Sequence, residues 1–288
     1  SNETLEDATI DGVPADEWVH NRTIELIRQH VYVERAFEEQ GLTIPEAEAA
    51  SAQSTVDQYY DENEDLIAAN GIGKESYRTF YMSQVKYNAL LQAYLEEHRS
   101  EVTVDEAKEY MDTTYAHIMQ LTLPSTDASY QLLDEDAAAA LMEAANNAIA
   151  QMEDEGATLD EVADDVLQEV LPLSGREYTD SSVSEYLSER YVSENSTLYG
   201  NDFSLAMLAA EVGSCGLYTA STSPLLYEKL PNYETDQQFE EEHFAAMADE
   251  INARAFEEEV DEKAGALSLE EDAAAVRTYS VYNIKTEV

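Results

Sequence analysis

Residues 115–123, Tyr-Ala-His-Ile-Met-Gln-Leu-Thr-Leu, carry the side chain best suited to chemistry in this chain. The run alternates, so Tyr115, His117, Met119, Leu121 and Leu123 share one face of a predicted strand. The imidazole of His117 offers a donor and an acceptor, and a structural histidine satisfied by a neighbour is the competing reading. Two clusters have the residue types of a cation site, Asp61-Glu62-Asn63-Glu64-Asp65 and Glu240-Glu241-Glu242-His243. Neither has the spacing or the glycine of an EF-hand loop, so both are read as solvated faces. Cys215 is the single cysteine. It cannot form an intramolecular disulfide, and it is read as small buried filler. No glycine-rich phosphate loop, His-Glu-x-x-His or nucleophile elbow is present in the sequence, and neither metal nor cofactor is expected.

These residues must be held by regular elements. Residues 8–13 predict an extended piece ending in a turn, with Pro14 placed to open a helix. Apolar spacing predicts helices over 15–40, 45–69 and 74–100, with Gly41 stopping the first. Thr103 with Glu106 three residues on is a capping box. After the strand at 115–123 come an alanine-rich helix over 137–155 and a short helix over 158–168. Residues 172–200 predict loops with a helix at 182–191. A helix over 201–211 ends at Gly213, and 216–231 predicts a strand or hairpin. The stretch 235–265 predicts a long acidic helix with Phe239, Phe244, Met247, Ile251, Phe256 and Val260 at helical intervals. The last alternating run is 276–284. The reading is therefore α+β and helix-rich, with a small α/β unit at 113–232 between helical segments 1–112 and 233–288. The long C-terminal helix is expected to pack back on the N-terminal helices, because each apolar stripe needs a partner.

Composition narrows the function classes. The chain has 288 residues, 44% of them hydrophobic, with 62 acidic and 15 basic residues and a net charge of −47. That is enough chain for two domains with real cores. Such a charge repels phosphate backbones and anionic headgroups, so nucleic acid is excluded as a partner. No run reaches the ~18 apolar residues of a membrane helix. Ser1-Asn2 has the look of a pair left by tag removal, so a leader or lipid anchor is expected to precede this sequence naturally, and any membrane association is expected only through that anchor.

The order Ala116-His117-Ile118, acidic helical stretch, then Gly156-Ala157-Thr158-Leu159-Asp160-Glu161-Val162-Ala163 resembles the opening of a parvulin domain, the small peptidyl-prolyl isomerase fold. The flanking segments resemble the helical chaperone arms of PrsA- and SurA-type foldases. The resemblance extends to Phe203-Ser204-Leu205-Ala206-Met207-Leu208, followed by Glu211-Val212-Gly213-Ser214 and Leu217–Leu226. It implies a catalytic neighbourhood at His117 and Ser221, with Phe203, Met207 and Met119 lining a proline-binding pocket. Three features depart from the family pattern. The family's second histidine falls at Pro224, which lacks both the ring and the backbone N–H. The Gly-Gly-Asp-Leu-Gly stretch is missing from 170–200, and Cys215 follows the turn instead of occupying a catalytic position.

The resemblance implies an extracytoplasmic, bacterial-surface foldase that binds unfolded or newly secreted polypeptides and has weak or lost isomerase activity. Isomerisation needs no cofactor. Two other readings remain open: a non-catalytic binding or scaffold protein on the same fold, and an acidic, cation-dependent surface module. A closed or polar pocket around Phe203 and His117 favours the scaffold.

Overall fold

The computed structural model describes residues 8–196, 199–219, 223–272 and 284–286. It is helix-rich α+β, as expected. The chain forms two compact units, one from residues 1–102 with 248–288 and one from 103–247.

The first unit opens with a two-residue hairpin, β1 (Thr9–Ile10) and β2 (Val13–Pro14). Asp11 and Gly12 both take positive φ, 54° and 79°, the backbone of a tight hairpin turn that favours Asp-Gly. Helix α1 (Ala15–Glu39) follows. Gly41 reverses the chain at φ 66°, and Leu42 N–H donates back to Phe37 O at 3.2 Å, which satisfies a helix-end carbonyl. The helix expected over 45–69 is two, α2 (Glu46–Glu62) and α3 (Glu64–Ala69). Asn63 leaves helical geometry at φ −120° and its side-chain amide donates to Tyr59 O at 2.9 Å, local competition typical of Asn. Helix α4 (Lys74–His98) closes this run.

Phe256 and Val260 of the C-terminal helix α10 (Phe244–Gly265) bury against Val33, Ala36 and Phe37 of α1 and Leu90 of α4. The rings of Tyr87 and Tyr94 each sit 5.3 Å from Phe256. The C-terminal helix thus completes the N-terminal core, as the unpartnered stripes predicted. The alternating run at 276–284 falls almost wholly outside the described residues.

The second unit begins at α5 (Val104–Thr114), whose Thr103–Glu106 capping box is present in both directions. It runs without a loop into β3 (Tyr115–Thr122). Then come α6 (Glu135–Glu155), capped by Asp134 and ended by Gly156 at φ 72°, and α7 (Leu159–Leu173), opened by a Thr158–Glu161 capping box. The stripe Val162, Val166, Val170 carries α7 five residues beyond the expected end, with Pro172 tolerated in the last turn. The helix expected at 182–191 is instead a short α8 (Ser182–Tyr186) and a strand, β4 (Leu187–Ser193). Only Val192 is buried along β4. An edge strand with Glu189, Arg190 and Tyr191 toward water shows little alternation in sequence. Helix α9 (Asn201–Ala209) precedes the hairpin β5 (Cys215–Tyr218) and β6 (Leu225–Leu230).

The sheet order is β4-β3-β6-β5, antiparallel throughout. Central β3 has a core on each face. Leu121 and Leu123 pack with α6 and α7, whereas Ala116 and Ile118 pack with Val192, Phe203, Met207 and Leu225.

Candidate functional site

That two-sided strand decides the geometry of the expected site. His117 and Met119 point to the α6/α7 side, and Met119 packs partly buried at the margin of that core. Phe203 and Met207 sit on the opposite side. The expected pocket lined jointly by His117 and Phe203 is therefore not formed, because successive strand residues face opposite ways. Ser221 lies outside the described residues. Pro224, at the position of the missing histidine, uses its carbonyl to accept from Leu123 N–H at 2.9 Å, which extends the sheet.

His117 is the centre of a hydrogen-bonded hub. Its backbone N–H donates to Asn232 Oδ1 at 3.0 Å. Its Nδ1 donates to Pro231 O at 3.0 Å, since a carbonyl can only accept. Its Nε2 lies 3.1 Å from Glu189 Oε2. The ring stacks on its cross-strand neighbour Tyr191, with centroids 4.4 Å apart at 13°. Tyr191 donates to Asn232 O at 2.9 Å and meets His243 edge-on at 5.8 Å. Burial, then Glu189 and Glu242, push the Tyr191 hydroxyl above its usual pKa. Asn232 also donates to Tyr115 O and Asp112 Oδ1, each at 3.1 Å. One amide thus ties the end of α5, the start of β3 and the exit of β6 together. Both ring nitrogens thus face acceptors within the protein.

The other face is an aromatic cluster. Phe203 has Tyr199, Tyr218 and Tyr227 around it at centroid distances of 5.3, 4.6 and 5.5 Å. Tyr199 donates to the side-chain oxygen of buried Gln120, and Gln120 donates to Ser188 Oγ at 3.1 Å. Tyr218 donates to Tyr199 O. Beside Phe203, Ser204 Oγ is buried with no partner among the described residues. Residue types here could grip a prolyl ring, since aromatic faces and a few polar atoms suit it. However, Phe203 and Met207 are each only 3% exposed, so the cluster is filled by its own side chains. The sequence reading passed over Tyr199, Tyr218, Tyr227 and Gln120. A glutamine at an inward strand position between Ile118 and Leu121 was the available signal, because a buried amide requires partners.

The remaining candidates resolve locally. Asp61 is ion-paired with Lys74 at 2.6 Å. Residues Phe239–His243 form one π-helical turn, with Phe239 fully buried. Cys215 is partly buried, and burial followed by Glu153 and Glu228 raises its thiol pKa. The thiolate is thereby disfavoured.

The first unit carries a separate feature. Tyr59 stacks on Tyr77 at 6.0 Å and 8°. Phe80 and Tyr81 follow Tyr77 by three and four residues, on the same side of α4. Tyr59 is 54% exposed, Phe80 57% and Tyr81 38%. Beneath them Tyr60 donates to Ile72 O at 3.0 Å, and Arg78 bridges Asp57 and Glu75. This holds α2 and α4 as a firm base for an exposed aromatic strip.

Solved structures similar to this chain include three PrsA proteins. Foldase protein PrsA from Streptococcus pneumoniae is 15% identical, with a TM-score of 0.43 over 96% of this chain and 100% of that one. PrsA from Bacillus subtilis is 14% identical, with a TM-score of 0.32 over 96% and 98%. A peptidylprolyl isomerase (PrsA) from Bacillus anthracis is 12% identical, with a TM-score of 0.32 over 87% and 100%. No protein-family model and no curated protein matches the chain.

Proposed function

We propose that this chain is an extracytoplasmic chaperone of the foldase type that binds unfolded secreted polypeptides and has weak or no prolyl isomerase activity. The carrying observation is the exposed strip of Tyr59, Phe80 and Tyr81 on a rigid helix pair. Large aromatic side chains turned to water lose apolar surface to any unfolded segment laid across them. Tyrosines add hydrogen bonds that adapt to varied sequences. The charge of −47 keeps the protein soluble while such a surface is open and disfavours nucleic acid. The extracytoplasmic setting and a bacterial-surface lipid anchor enter through the resemblance around Ala116-His117-Ile118.

The filled cluster supports the reading of weak isomerisation. Catalysis must lower a barrier of ~18–20 kcal/mol by desolvating and twisting a prolyl amide in an apolar slot. Here Phe203 and Met207 themselves fill the slot, and His117 is read as a positioning residue of the hub on the other face. The test measures aggregation of an unfolded client and isomerisation of a prolyl peptide in parallel. Wild type is expected to suppress aggregation, and the Tyr59→Ser/Phe80→Ser/Tyr81→Ser variant to lose most of that effect at unchanged helicity. Isomerisation is expected near the uncatalysed rate. Strong acceleration abolished by both His117→Ala and Phe203→Ala in folded protein would overturn the positioning role given to His117 and the closed state of the cluster.

A further inference from the structure

The loop between β3 and α6 is a built hairpin that presents apolar side chains to water. Thr126 and Leu132 form an antiparallel bridge, Asp127 N–H donates to Gln131 O at 2.7 Å, and Leu133 N–H donates to Ser125 O at 3.2 Å. The Asp127 carboxylate takes Ser129 N–H at 2.8 Å and Gln131 N–H at 2.9 Å. The Arg176 guanidinium holds Thr126 O and Asp127 O from the other side. At the tip, Tyr130 takes φ 61°, a conformation that strains a bulky L-residue. Tyr130 is 84% exposed and Leu132 82%. An ordered turn with two such side chains in water leaves adjacent apolar surface available to a partner.

Next to the tip lies a cavity of about 520 Å³ lined by Asp127, Ser129, Leu132, Asp134, Leu173 and Ser174, among others. Its size is that of a site for several side chains. Its net charge is negative. Asp127 and Asp134 contribute carboxylates and the last turn of α7 the negative end of a helix dipole, opposed by the positive end of α6 at Asp134 and Ala137. Among the lining's hydrogen-bond partners, Arg176 donates to two neutral backbone carbonyls and keeps its charge, which offsets one of the two carboxylates. Residues 103–247 hold thirty acidic and four basic residues, so the surrounding field has the same sign.

We infer that this hairpin and cavity form a docking site for a cationic amphipathic polypeptide segment, with Lys or Arg directed at Asp127 and Asp134 and apolar side chains laid on Tyr130 and Leu132. The charge complementarity selects this occupant: a second copy of a chain carrying −47 would be repelled, and so would an acidic peptide. The inference goes beyond the foldase reading, because the site is separate from the Tyr59–Tyr81 strip and stands or falls on its own.

The test is fluorescence anisotropy of the full chain with a labelled peptide alternating Lys/Arg with Leu/Phe, against the same peptide with Glu in place of the basic residues. The basic peptide is expected to bind and the acidic one not. Tyr130→Asn/Leu132→Ser keeps a residue that tolerates the tip conformation and is expected to weaken binding roughly tenfold, as loss of paired apolar anchors does. Asp127→Asn/Asp134→Asn preserves both caps and is expected to weaken it roughly threefold at low salt, an effect that fades as salt screens it. Equal binding of both peptides, no binding, or unchanged affinity in the Tyr130/Leu132 variant would overturn the inference. So would loss of peptide binding in the Tyr59/Phe80/Tyr81 variant, which would move the site to the strip, or a dimer abolished by Tyr130→Asn/Leu132→Ser. Loss of client protection in that strip variant with peptide binding intact leaves this site standing.

Discussion

At the scale of single residues, the second unit is governed by which way β3 side chains point. His117 was legible as the residue most able to do chemistry, but its partners were not, since Asn232, Pro231 and Glu189 lie more than seventy residues away in sequence and arrive only through strand pairing. The aromatic cluster has a comparable hidden dependence. Gly216 pairs with Tyr227 across the β5–β6 hairpin, and a Cβ at Gly216 would meet the Tyr227 hydroxyl at 2.7 Å. Gly216→Ala is expected to push Tyr227 off Phe203 and lower stability by about 1–3 kcal/mol, the usual cost of overpacking. Chemical denaturation with unchanged m-value checks it, and a change within error of zero would mean the ring swings away freely.

At the scale of elements, the helix pattern carried most of the prediction and edge strands defeated it. Thr103–Glu106 and Leu159–Val170 follow rules written in adjacent residues, so capping and stripe were readable. Strand β4 was not, because with only Val192 buried along it there is no alternating apolar face to read. The packing of α10 on α1 and α4 makes its own prediction. Burial, with Glu257 and Asp261, raises the pKa of Tyr87, and burial with Glu259, Glu101 and Glu97 raises that of Tyr94. Both folded-state values then exceed the unfolded value of 10.0. The stability they contribute is fully present below pH 10 and is lost as pH rises through the folded values, where the unfolded state sheds the protons first. Part of the tyrosinate absorbance is expected to appear together with the loss of helicity above pH 10. Ionisation of all tyrosines with the helices intact would show that these rings are not held in the core.

At the scale of the whole molecule, charge is the dominant property. A chain with 62 acidic and 15 basic residues repels itself when compact. Added salt is therefore expected to raise the melting temperature, most steeply where the Debye length falls from about 30 Å to about 10 Å, between 0.01 and 0.1 M. A melting temperature that is flat or falls over that range would mean that surface pairs such as Lys74–Asp61 and Arg99–Asp249 outweigh the repulsion. The few cations of the second unit include one that closes a helix end. Lys229 donates to Leu208 O at 3.3 Å and Ala210 O at 2.7 Å at the end of α9, where burial lowers its pKa.

The sequence by itself determined the helix-rich α+β class, the capped helix starts, the C-terminal stripe that needed an N-terminal partner, and the acidity of the chain. Those properties depend on residues one to four positions apart or on composition, so the chain states them locally. Tertiary structure alone decided that His117 and Phe203 serve opposite faces of one sheet, that Phe203 is enclosed by three tyrosines, and that Tyr59, Phe80, Tyr81, Tyr130 and Leu132 are left in water. Burial and convergence depend on which distant segments fold over a side chain, and no local pattern encodes that.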